Sequence, residues 1–139
     1  MPDAATNTRR WFDEVWNRGN LDVVDEYMES GTVIHDAGAE PGDISDPAVF
    51  KGMAAAMRSA FPDIRLEIHD VIVQGEKTVL RFTASGTHKG NFLSLAPTGR
   101  AFSISGMAWG EWRGDKLVRA WNNIDLLSLF AQIGAVKRP

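Results

Sequence analysis

At Phe61-Pro62 the hydrophobic pattern of this chain changes period, and that break limits the possible folds more than any other feature. Before it, apolar residues recur at helical spacing: Phe12, Val15 and Trp16 within 6–18, then Leu21, Val24 and Met28 in a second helix that Asn20 can cap. Asp46-Pro47 is a helix start signal, and Val49, Phe50, Met53, Met57 and Ala60 mark the buried face of the helix that follows. After the break the period is two. Ile64, Leu66 and Ile68 share one face, and Val71 and Val73 resume it after a slip at His69-Asp70 that predicts a bulge. Tight-turn signals at Gly75-Glu76 and Arg113-Gly114-Asp115-Lys116 separate strands predicted over 78–86, 101–112 and 117–124. An amphipathic helix is predicted over 126–133, and a short strand over 32–35 precedes a Gly/Pro-rich loop, 37–45, placed to act as a mouth or lid. Helices followed by an antiparallel meander imply an α+β fold. The expected architecture is a cone-shaped half barrel: a curved antiparallel sheet wrapped around the N-terminal helices, with a short C-terminal helix and an open end suited to a small molecule.

Length and charge narrow the function. A chain of 139 residues fits one domain spanning 1–139. A net charge of −3, with Lys137-Arg138 as the one basic cluster, argues against nucleic acid or an anionic membrane as partner. No apolar run approaches the roughly 18 residues of a membrane span, and the polar stretch 1–10 lacks the apolar core of a secretory signal, so a cytoplasmic location is expected. With zero cysteines there are no thiolates or sulfur ligands. Neither a Gly-rich phosphate loop nor a Gly-x-Ser-x-Gly elbow is present, and His35, His69 and His88 are too scattered for a metal motif. No metal or cofactor is therefore expected, which leaves acid–base chemistry by carboxylates and imidazoles in an aromatic pocket.

Asp125 is the leading candidate for that chemistry. It stands where the last strand gives way to the last helix, beside Trp121, Ile124, Leu126 and Leu127, a setting able to desolvate a carboxylate and raise its pKa. An Asp directly before an apolar helix is equally a good N-cap, and the sequence leaves both readings open. Strand alternation puts Arg119, Trp121, Asn123 and Asp125 on one face and Val118, Ala120, Asn122 and Ile124 on the other. His35 and His88, both near strand ends, are further acid–base candidates, and Asn122 or Asn123 can hydrogen-bond a substrate carbonyl. Trp109, Trp112 and Trp121 can wall an aromatic pocket, or simply pack.

Three segments carry a resemblance: Ala60-Phe61-Pro62-Asp63-Ile64-Arg65 leaving a helix, Gly86-Thr87-His88-Lys89-Gly90-Asn91-Phe92 leading to Pro97-Thr98-Gly99-Arg100, and Trp121-Asn122-Asn123-Ile124-Asp125 before the last helix. Together they resemble the SnoaL-like polyketide cyclase family of the nuclear transport factor 2-like superfamily over nearly the whole chain. The resemblance implies a cofactor-free enzyme that closes a ring by intramolecular aldol condensation, with an aspartate at the end of the last strand as acid and base. Asp125 matches that position. In this reading His35 or His88 adds a polar contact, as does Asn122 or Asn123, while Phe61, Phe92, Trp109 and Trp121 shape a cavity for an apolar, carbonyl-bearing ligand. The chain departs from the family hairpin at Trp112-Arg113-Gly114-Asp115-Lys116, and Glu111 stands where a basic residue is usual. Alternatives are a noncatalytic binding protein with the same cavity, or an epoxide hydrolase, whose Arg-x-Asp strand motif is missing here. A homodimer or homotetramer through the uncovered side of the sheet is compatible with each.

Overall fold

The computed structural model describes residues 3–35 and 42–136. Asp3 opens α1 (Ala4–Phe12), its carboxylate accepting from Thr6 N–H at 2.8 Å. The helix then widens into a π-helical segment, Asp13–Arg18, which ends at Gly19 with φ 71°. A side chain at Gly19 would collide with the Arg58 guanidinium beneath it, and that guanidinium donates to Trp16 O, one of the carbonyls the helix end leaves open. Next come α2 (Asp22–Tyr27), β1 (Met28–His35) and β2 (Asp43–Ile44). The second helix is thus shorter than expected, and Met28 already belongs to a strand. Most of the loop 37–45 and the Lys137-Arg138 cluster lie outside the described residues.

Helix α3 (Pro47–Ala60) starts as anticipated, with Asp46 accepting from Ala48 N–H at 2.9 Å and Pro47 in the first turn. The second half is β3 (Arg65–Gln74), β4 (Lys77–Thr87), β5 (Ala101–Arg113), β6 (Lys116–Ile124) and α4 (Leu126–Gln132). Gly75 and Gly114 take the positive φ that the two hairpin turns demand. The register shift between Ile68 and Asp70 is the bulge that the parity slip predicts.

The six strands form one sheet in the order β2-β1-β6-β5-β4-β3. Here the half-barrel expectation fails. The sheet is open, with β2 and β3 as edges, and it is mixed, because β1 runs parallel to β6. A curved, purely antiparallel cone would need tight connections throughout. The first and last strands are instead neighbours joined by most of the chain, which leaves their relative direction unconstrained by any turn. Nor does the β3 edge continue onto another strand, since the Asn17 side chain occupies Leu66 there.

All the helices lie on one face. The strands show it in their burial, which alternates almost perfectly along β4 and β5. Phe82, Ile104, Trp112 and Leu117 point inward against Trp11, Phe12, Val24 and Phe50. No helix among the described residues is long and apolar enough to cross a membrane.

Candidate active site

The inner face of β5 reads Phe102, Ile104, Gly106, Ala108, Gly110, Trp112, so the middle of the sheet carries almost no side-chain volume. Ala84 on β4 and Ala120 on β6 extend the bare region. Helices packed above such a floor cannot fill it, and a hollow remains. It has two chambers. The first lies among Trp11, Ile34, Phe50, Leu80, Trp112 and Leu117, the second among Met53, Met57, Phe82, Phe102, Ile104 and Leu129. Phe12, Trp16 and Asn122 border both and form the partition. The chambers offer about 50 and 70 Å³ to the centres of water-sized molecules, several times the roughly 10–15 Å³ that one water needs.

Three polar side chains touch this apolar space: Thr8, Thr78 and Asn122. The two threonines are engaged, with hydroxyls 3.0 Å apart and Trp112 Nε1 donating to Thr8 Oγ1 at 3.1 Å. Among the described residues the Asn122 amide makes no hydrogen bond. A free amide with two donors and one acceptor, standing between two apolar chambers, is equipped to orient a carbonyl or hydroxyl.

The other expected site residues are dispersed. Alternation sends Trp121 and Asn123 to the face opposite Asn122, so one cavity cannot use all three. Trp109 borders the first chamber because Ala108 and Gly110 leave the backbone between them uncovered, yet the residue is 41% exposed and its indole joins Trp121 and Glu111 on the outer face. Phe61 and Phe92 are fully inside, but they form an aromatic cluster with Phe102 and His88 beyond the second chamber rather than lining it. His88 is buried; its Nδ1 accepts from Thr98 N–H at 3.2 Å, and Nε2 has no partner among the described residues. His35 lies on the outer face, its ring stacked on Trp121 and Nδ1 2.7 Å from Asp43 Oδ1. Neither histidine borders a chamber.

Asp125 is exposed and caps α4, its Oδ1 accepting from Ser128 N–H at 3.1 Å. The apolar setting expected around it is absent because Ile124 turns inward and the next side chain must turn out, where the open N–H groups of α4 meet it. In sequence it stands between Ile124 and Leu129, which both line the second chamber, but Asp125 itself borders neither chamber. The carboxylates that are held below the ordinary range lie elsewhere: Asp63 through the Thr87 hydroxyl and N–H, Glu26 through the Arg10 guanidinium, and Asp3 through the Thr6 N–H and side chain. No group of three potential metal ligands occurs among the described residues.

Helical spacing marks Phe12, Trp16, Met53 and Met57 as buried but cannot reveal that they face a void. The signal for the void is the Gly106-x-Ala108-x-Gly110 run, three small residues in succession on the inward side of one strand.

The molecule is thus an α+β arrangement, an open sheet with helices on one face and an apolar hollow between them that the Asn122 side chain borders. The profile of the SnoaL-like polyketide cyclases matches residues 6–133. The chain belongs to that family, within the nuclear transport factor 2-like superfamily, and the family carries a cyclase-type enzymatic role. Among solved structures it is similar to IdmH of Streptomyces antibioticus, provisionally assigned as a polyketide cyclase, at 26% identity and a TM-score of 0.82 over 96% of this chain and 99% of that one. A protein of Acidithiobacillus ferrooxidans with the same provisional assignment shares 25% identity, with a TM-score of 0.81 over 97% and 96%. AclR of Streptomyces galilaeus, provisionally a hydroxylase, shares the fold at 24% identity and a TM-score of 0.80 over 99% and 86%. No curated protein matches.

Proposed function

We propose that this protein is a cofactor-independent enzyme that takes an apolar, carbonyl-bearing small molecule into the two-chambered hollow and performs proton transfer on it, of the aldol ring-closing type. The unpaired Asn122 amide on the partition carries the reading. A carbon between two carbonyls is acidic enough for a carboxylate to deprotonate when a donor holds the enolate oxygen. Asn122 is the donor and Asp125, next in sequence to the chamber-lining Ile124, the base. The carbanion attacks a third carbonyl farther along the same molecule, and the carboxylic acid of Asp125 returns its proton to the new alkoxide.

The exposed, capping position of Asp125 favours a second reading, a binding protein without turnover. Two variants separate them, assayed by calorimetry and by loss of substrate with an aromatic compound that carries a 1,3-dicarbonyl and a further ketone within ring-closing reach. Asn122→Leu weakens binding under both readings, by about 1–3 kcal/mol for the lost hydrogen bond. Asp125→Asn keeps the cap and the binding but lowers turnover roughly 100- to 10,000-fold if Asp125 is the acid–base group. Turnover unchanged in Asp125→Asn removes Asp125 from the reaction, and binding without measurable turnover in the parent chain establishes the second reading.

A further inference from the structure

Four indoles border the first chamber, and three of their N–H groups are accounted for. Trp112 Nε1 donates to Thr8 Oγ1 at 3.1 Å, and Trp109 Nε1 to Glu111 Oε2 at 3.2 Å. Trp16 is half-buried on the partition, where water can serve its N–H. Trp11 is the exception. It is only 6% exposed, and its ring packs on Phe50, centroids 5.0 Å apart, and on Tyr27 at 6.1 Å. Its indole nitrogen makes no hydrogen bond.

A buried indole N–H normally finds a partner, because stranding a donor away from water is costly. The Trp11 nitrogen, however, is not sealed off. Among the described residues the one side-chain polar atom that is both partnerless and closed to water is His88 Nε2. Space therefore reaches Trp11 Nε1, and the open space that Trp11 borders is the first chamber.

The lining says what could meet it there. Among the described residues no charged side chain borders either chamber, and an anion buried without a partner cation is strongly disfavoured. The group facing Trp11 is thus an uncharged acceptor. The chambers also differ from each other. Apart from the shared partition, the second is walled by hydrocarbon and thioether groups such as Met57, Phe102, Ile104 and Leu129, whereas the first adds the Trp11 donor to the Asn122 amide.

We propose that the Trp11 indole N–H is a second anchor of the hollow: it holds an uncharged oxygen, of a ketone or an ether, in the first chamber, while the second chamber takes the hydrocarbon end of the same ligand. This anchor presupposes that the hollow is a ligand site, as proposed above, and it fixes the direction in which the ligand lies.

Indole proton–nitrogen NMR spectra of the full chain test it with two compounds of similar shape: 2-acetyl-6-methoxynaphthalene, whose oxygens are uncharged acceptors, and 2,6-diethylnaphthalene, which has none. A proton drawn into a hydrogen bond resonates downfield. The Trp11 signal, identified by its loss in Trp11→Phe, is expected to lie downfield with the first compound relative to the second, while that of Trp112, already held by Thr8, is the same with both. Trp11→Phe should lower the affinity ratio of the two compounds roughly 3- to 10-fold. If that variant does not fold, assignment through the backbone of the parent chain keeps the spectral result decisive. A Trp11 signal that responds alike to both compounds overturns the anchor; where the Asn122 amide still tells them apart, the hollow stands as a ligand site without it. Compounds that move no signal of the hollow remove that site, and the anchor with it.

Discussion

The Asn17 side chain pairs with the backbone of Leu66 as a strand would: Oδ1 accepts from Leu66 N–H at 2.7 Å and Nδ2 donates to Leu66 O at 2.9 Å. One side chain from the π-helical segment thus closes part of the exposed β3 edge and ties the first helix to the far side of the sheet. Unpaired strand edges are templates for aggregation, and this one is blocked at its first turn out of the core.

Asn17→Ala removes both bonds and leaves two half-buried backbone groups to water. The expected loss is about 1–3 kcal/mol in urea unfolding, with faster aggregation of the folded protein on prolonged incubation. Asn17→Asp turns a carboxylate oxygen toward Leu66 O and the Asp13 carboxylate, where the amide now donates, and should lose at least as much at neutral pH.

Thr8, Thr78 and Trp112 form a buried chain of hydrogen bonds on the wall of the first chamber. Thr8 Oγ1 accepts from the Trp112 indole, and one of the two threonine hydroxyls donates to the other. Thr78→Val keeps the shape but removes the Thr8 hydroxyl's partner, so a cost of about 1–3 kcal/mol is expected. The double replacement Thr8→Val with Thr78→Val should cost less than the sum of the singles, a coupling that a double-mutant cycle measures directly.

Gly106 leaves the room that two walls of the second chamber, Phe82 and Ile124, fill. A Cβ there would stand 2.5 Å from the Phe82 ring and 2.9 Å from Ile124 Cγ2. Gly106→Ala should destabilise by about 1–3 kcal/mol through overpacking and shrink the second chamber, lowering affinity for the larger members of a ligand series while sparing the smallest. Calorimetry across such a series checks both effects.

Asp63 accepts from the Thr87 hydroxyl at 2.8 Å and from Thr87 N–H at 2.7 Å, and these bonds lower its pKa from the ordinary 3.8. A carboxylate with a depressed folded pKa adds stability that is complete above the unfolded value and is lost as pH falls through the folded one. Asp63→Asn should therefore be less stable than the parent at neutral pH, and the gap should close in acid below about pH 3.8. Urea midpoints at the two ends of that range give the comparison. Because Asp63 is exposed, the effect is small.

Much of this was legible in the sequence. Turn chemistry located Gly75 and Gly114, the parity slip at His69-Asp70 located the bulge, and Asp46-Pro47 located α3, because each depends on local stereochemistry alone. Alternation along β6 sorted Asn122 from Trp121 and Asn123 correctly. Assigning all three to one pocket ignored what that sorting implies, that residues of opposite parity cannot share a cavity. Two things were not local. The parallel pairing of β1 with β6 joins segments more than eighty residues apart, and nothing in either strand announces it. Asp125 looked desolvated because its sequence neighbours are apolar, but solvent exposure follows from the direction a side chain leaves the backbone, which the helix start decided.

The position of β1 bears on how the chain acquires its structure. Its main hydrogen-bonding partner is β6, which ends at Ile124, so during synthesis the strand must wait until β6 has been made before its ladder can form. Contacts of such long sequence separation make folding slow and leave the early strand exposed meanwhile. Ribosome-bound fragments that stop short of β6 should hold helices and hairpins without this seam. Completion of the sheet is then a late event, made only once the C-terminal strand has left the exit tunnel.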